Sequence, residues 1–61
     1  MTCRISGKVL GCVELEKSKV VVSIQLENEK IFRVYCRKSF ESGATFNEKC
    51  KIKNQTIFHQ A

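Results

Sequence analysis

A chain of 61 residues has room for one domain and buries only about 60% of the surface its unfolded form exposes, so residues 1–61 are read as a single small domain with a thin core. With 43% hydrophobic and 28% charged residues it has the composition of a folded domain, and it contains no apolar run of the roughly 18 residues that would span a membrane. Eleven Lys and Arg against six Glu leave a net charge of +5, an excess that favours polyanionic partners such as nucleic acid.

From Cys3 to Leu15 the chain alternates. Cys3, Ile5, Gly7, Val9, Gly11, Val13 and Leu15 fall on one side, and Arg4, Ser6, Lys8, Leu10, Cys12 and Glu14 on the other. Period two predicts a strand, and two glycines on its apolar side predict a bulge or a close approach by another strand. Glu14 to Lys19 reads as a polar connection. Val20, Val22, Ile24 and Leu26 then form the apolar side of a half-buried second strand, which ends in a turn at Glu27-Asn28-Glu29-Lys30 with Asn28 expected in the left-handed conformation.

The third strand, Lys30 to Lys38, turns Phe32, Val34 and Cys36 inward and leaves Ile31, Arg33, Tyr35 and Arg37 outside. Ser39 to Thr45 reads as a loop with room for one helical turn, and Phe40 and Phe46 are expected to plug the end of the core. Alternation resumes to Asn54, with Phe46, Cys50 and Ile52 inward and Lys49, Lys51 and Lys53 outward; Glu48 breaks the pattern. Gln55 to His59 is expected to form a short fifth strand.

These elements predict an all-β fold: a small four- to five-stranded antiparallel barrel or strongly curved sheet, SH3-like or OB-like. The short connection before the fourth strand leans toward the SH3-like form. An open sheet that pairs edge to edge as a homodimer is the alternative, and a second copy is one way to support so thin a core.

The outward triplet Arg33, Tyr35 and Arg37 joins planar phosphate-pairing forks to a ring on which an unpaired base can stack. Lys49, Lys51 and Lys53 add a phosphate-neutralising stripe, and Arg4 and Lys8 extend it if the first strand lies alongside. Five of the six glutamates, Glu14, Glu16, Glu27, Glu29 and Glu41, fall in or beside expected turns, leaving the strand faces cationic. The expected partner is therefore nucleic acid, single-stranded by preference. Polar outer faces and edge lysines also serve solubility, so the triplet with its aromatic is a sharper signal than the lysines alone.

The rival expectation is a protein-interaction or inhibitor module. Leu10 and Cys12 are apolar on the outer side of the first strand and Ile31 on that of the third, so a partner protein, or the C-terminal Ile57 and Phe58, would have to cover Leu10 and Cys12. An enzyme is not expected. The chain has no aspartate and no phosphate-binding glycine loop, and its glutamates lack a histidine at set spacing. A Cys and His nucleophile pair through His59 is formally available but reads as structural.

Cys3, Cys12, Cys36 and Cys50 allow three disulfide pairings in principle, yet their gaps are too wide for the tight ligand pairs of structural zinc. They read as buried free thiols, with no metal and no cofactor expected. The opening Met1-Thr2-Cys3-Arg4 runs straight into the strand pattern without the apolar stretch of an export signal, which reads as cytoplasmic.

Overall fold

The period-two segments become five strands: β1 (Thr2–Glu16), β2 (Lys19–Gln25), β3 (Ile31–Cys36), β4 (Thr45–Lys53) and β5 (Thr56–His59). A computed structural model, which describes residues 1–60, closes them into a barrel in the order β1-β2-β3-β5-β4. Four of the five pairings are antiparallel; β3 and β5 run parallel, so the sheet is mixed and not wholly antiparallel as expected. The departure follows from β5 lying between β3 and β4: a strand antiparallel to β4 there must run with β3. No helix among the described residues is long and apolar enough to cross a membrane.

β1 closes the ring because it is long enough to serve two partners. Its first half, Thr2 to Lys8, pairs with β4, and its second half, Lys8 to Glu16, pairs with β2. Gly7 lies near this crossover, where a Cβ would stand 2.5 Å from the Gln25 carbonyl oxygen and 2.8 Å from Ile24 Cγ2. Only a residue without a side chain admits so close an approach of β2.

The second glycine marks a different feature. Register slips by one residue between Val9 and Gly11, so Leu10 is a bulge and Val13 comes to face Val21. A one-residue slip moves every later side chain to the opposite face. That is why Val13 and Leu15, expected inside with Ile5 and Val9, are instead 62% and 52% exposed; a second slip lies between Glu14 and Glu16. Cys12 now aligns with the inward Val22, and its thiol reaches the Phe40 carbonyl at 3.5 Å. The Ser42 hydroxyl donates to the Leu10 carbonyl at 2.8 Å. Ile57 packs against the core and Phe58 lies beside Tyr35, so the loop backbone meets this part of β1 in place of the expected C-terminal pair.

The core is Ile5, Val9, Val20, Val22, Ile24, Val34, Cys36, Phe46 and Cys50, with Phe32, Phe40 and Ile57 packed against it. Phe40 meets Phe46 edge to face at 5.1 Å, the expected plug. The segment before β4 makes a turn at Ser42-Gly43, with Gly43 at φ 91°, and contains no helical turn. In the β2–β3 connection Glu29, not Asn28, takes the left-handed conformation at φ 67°. Asn28 Oδ1 is engaged by the Lys30 amide at 3.1 Å, so asparagine serves this turn through its side chain. Two-residue turns join the other hairpins, Lys17-Ser18 after β1 and Asn54-Gln55 after β4; both residues of the latter have positive φ, as a type I′ turn requires.

Candidate nucleic-acid interface

Cross-strand register assembles the outer face. Val13 pairs with Val21, Val21 with Tyr35, Tyr35 with Phe58, Phe58 with Lys51 and Lys51 with Thr2, one row of residues crossing all five strands. Its centre is aromatic: the Tyr35 and Phe58 ring centroids are 5.8 Å apart with planes tilted by 38°. Phe58 is 41% exposed although it is a large apolar side chain, and Tyr35 is half-buried. Two adjacent, partly exposed rings are the kind of surface on which an unpaired base can stack.

Cations flank the platform on several strands. Lys19, at the start of β2, holds its ammonium 5.8 Å from the Tyr35 ring centroid, a cation–π contact. Its ion pair with Glu16, at 3.8 Å between exposed groups, contributes little. Arg37, just beyond β3, and Lys51 of β4 border one depression beside Phe58, and Arg33 and Tyr35 border another. Lys49 and Lys53 lie two residues either side of Lys51, all three exposed. Arg4 aligns with Lys49 and so joins this surface, where its guanidinium donates to the Asn47 backbone and side-chain oxygens at 3.3 and 3.2 Å. Lys8 does not join it. It pairs with Thr45 and Gln25, six positions along β1 from the Thr2–Lys51 pair, or roughly 20 Å at 3.3 Å per residue.

Opposing charge is missing from these strands. In β2, β3, β4 and β5 the one carboxylate is Glu48, which shares the alternation of Phe46 and Cys50 but keeps its side chain 41% exposed. There His59 Nε2 donates to Glu48 Oε1 at 2.9 Å, with the imidazole only 3% exposed. This hydrogen bond, and after it the His59 charge, hold the Glu48 carboxyl below its ordinary range against the opposing effect of desolvation. The glutamate that breaks the sequence pattern therefore meets the chain's single histidine, a pairing eleven residues apart that no local spacing signals.

His59 also aligns with Cys50, but burial and then the neighbouring Cys3 push the Cys50 thiol up, the reverse of what a nucleophile requires. Burial, followed by Cys50, pushes Cys36 up to about 11. All four cysteines are free; Cys36 and Cys50 are buried as expected, whereas Cys3 is half-buried and Cys12 exposed. No group of three or more His, Cys, Asp or Glu among the described residues is placed to hold a metal ion.

Of the sequence-derived site, the fold brings together Arg33, Tyr35, Arg37, Lys51 and, along the same strand, Lys49 and Lys53, with Arg4 at the margin. Sequence reasoning missed Phe58, Lys19 and Val13. Phe58 sits in a four-residue strand too short to reveal its facing, and Val13 depends on the bulge. Of the interaction residues, Ile31 is 56% exposed and borders the depression shared with Arg33 and Tyr35, while Leu10 is 40% exposed in the bulge and apart from them. No protein-family model, curated protein or solved structure matches the chain.

Proposed function

We propose that this protein binds single-stranded nucleic acid across the outer face of β3, β5 and β4. The observation that carries the reading is the Tyr35–Phe58 pair, flanked by Lys19, Arg33, Arg37 and Lys51, with the one carboxylate of β2 to β5, Glu48, engaged by His59. Stacking accepts any base, because every base has a π-face, and the surrounding cations attract the backbone without reading sequence. Duplex DNA offers neither exposed base faces nor a reason for an aromatic pair.

The reading takes the barrel to be OB-like rather than SH3-like. Support comes from the insertion of β5 between β3 and β4, which makes a five-stranded barrel with Greek-key character; that architecture binds oligonucleotides on its strand 2–3 face and adjoining loops, which has only β3 in common with the face proposed for this chain. It also takes the compartment to be the reducing cytoplasm, in keeping with four free thiols.

Fluorescence anisotropy with labelled single-stranded DNA, single-stranded RNA and duplex DNA tests it at low and near-physiological salt. The expected result is micromolar or tighter binding to single strands that falls with salt and is weakened by Tyr35→Ala and by Phe58→Ala. Equal binding of all three ligands, untouched by either substitution, overturns the platform and leaves only general charge attraction.

A further inference from the structure

The parallel pairing of β3 with β5 is short. It covers Val34 with Ile57 and Tyr35 with Phe58, and upstream of Val34 the β3 edge at Ile31 to Arg33 has no strand partner on that side among the described residues. Between this edge and the Asn54-Gln55 turn lies a cleft of about 800 Å³. Ile52 and Ile57 form an apolar wall, Ile31 and Arg33 stand on the opposite bank, Gln55 lies at the turn, and Tyr35 borders the end toward the platform.

We propose that this cleft receives one unstacked nucleobase of the strand whose neighbours stack on Tyr35 and Phe58, and that it makes binding selective for base identity at that position. The proposal rests on the single-strand reading above. Continuity argues for it: Tyr35 belongs to both surfaces, so a strand lying on the platform reaches the cleft without crossing another element. The chemistry agrees. Apolar walls accept the faces of a base, while the side-chain amide of Gln55 and the unpaired β3 edge offer both donors and acceptors to its rim. Arg33 on the bank supplies a fork for the adjoining phosphate. A platform alone tolerates any sequence, whereas an amide in a cleft discriminates.

The test uses labelled hexamers of deoxyadenosine, deoxycytidine and thymidine with the intact protein, because a homopolymer presents the same base to the cleft in every register. Gln55 has φ 62°, so Gln55→Gly removes the amide without straining the turn. Ile31→Ala trims an exposed bank of the cleft. Wild-type protein is expected to prefer one hexamer by at least about fivefold, the low end for an amide contact to one base. Gln55→Gly should bring the three affinities together near the weakest, Ile31→Ala should reduce the preference, and Tyr35→Ala should weaken all three alike.

Methyl chemical shifts supply the second measurement. Ile31, Ile52 and Ile57 are expected to move on adding the preferred hexamer. Equal affinities that still depend on Tyr35 and Phe58 overturn the cleft and leave the platform standing, as does a preference unaltered by Gln55→Gly. Binding of no hexamer overturns both. Movement of the same methyls with protein concentration alone identifies a second copy of the chain as occupant and overturns the base assignment.

Discussion

Tyr35 and Phe58 are register partners in the parallel β3–β5 pairing, their ring centroids 5.8 Å apart on the outside of the barrel. In sequence they are separated by the loop after β3, the whole of β4 and the turn that follows it, and only closure of the barrel makes them neighbours. Base–aromatic stacking contributes ~1–3 kcal/mol per base, so Tyr35→Ala and Phe58→Ala should each weaken single-strand binding roughly 5- to 150-fold. Tyr35→Phe should retain most of the affinity, since the ring and not the hydroxyl forms the platform. Anisotropy titrations, with circular dichroism to show an intact sheet, read the outcome.

The cations divide by position. Lys51 is the cross-strand partner of Phe58, whereas Lys8 lies far along β1 beside Thr45. Each phosphate contact removed from a single-strand complex should lower the slope of log affinity against log salt by about 0.7. Lys51→Ala is expected to do so, and Lys8→Ala to leave the slope unchanged. An equal effect of both substitutions would count against a localised interface.

Glu48 and His59 tie β4 to β5 behind the platform. The Glu48 carboxyl titrates below its ordinary value of 4.5 in the folded protein, so it binds fewer protons folded than unfolded in this range. Its contribution to stability is present above the unfolded value and is lost as pH falls through the folded one. Urea unfolding at stepped pH should show stability declining below about pH 5, and Glu48→Gln should remove part of that decline. His59→Ala should also flatten it, because the hydrogen bond is the main cause of the shift.

The two strand glycines should respond differently to a methyl group. At Gly7 a Cβ collides with the Gln25 carbonyl, a backbone atom that cannot swing away, so Gly7→Ala should destabilise by ~1–3 kcal/mol. At Gly11 a Cβ meets nothing within 4 Å, and Gly11→Ala should stay within about 0.5 kcal/mol. Urea midpoints at constant m-value check both.

Thiol reactivity should follow burial. Cys12 is exposed, while Cys36 is buried with its thiol pushed up to about 11 and Cys50 is buried and likewise raised. Near neutral pH, mass spectrometry after brief alkylation should find Cys12 modified first and Cys36 and Cys50 only as the barrel opens. Early labelling of Cys36 would contradict this core.

Strand existence was legible because alternation is a local property: Val20, Val22 and Ile24 of β2 and Phe46 and Cys50 of β4 are buried as their period of two requires. The same periodicity placed Arg33, Tyr35, Lys49, Lys51 and Lys53 outside. It failed at Val13, where the Leu10 bulge inverts the faces, and was silent on Phe58, whose strand is too short to carry a pattern.

By itself, then, the sequence determined the strand segments, most inward and outward sets, and an excess of positive charge, since these follow from residue type and nearest neighbours along the chain. Tertiary structure alone decided which strands adjoin. Inserting β5 between β3 and β4 set Phe58 against Tyr35 and Lys51, His59 against Glu48, and left the cleft where β3 and β5 part. Those relationships arise from backbone hydrogen bonding between distant segments, and strand order is not encoded in any single strand's periodicity.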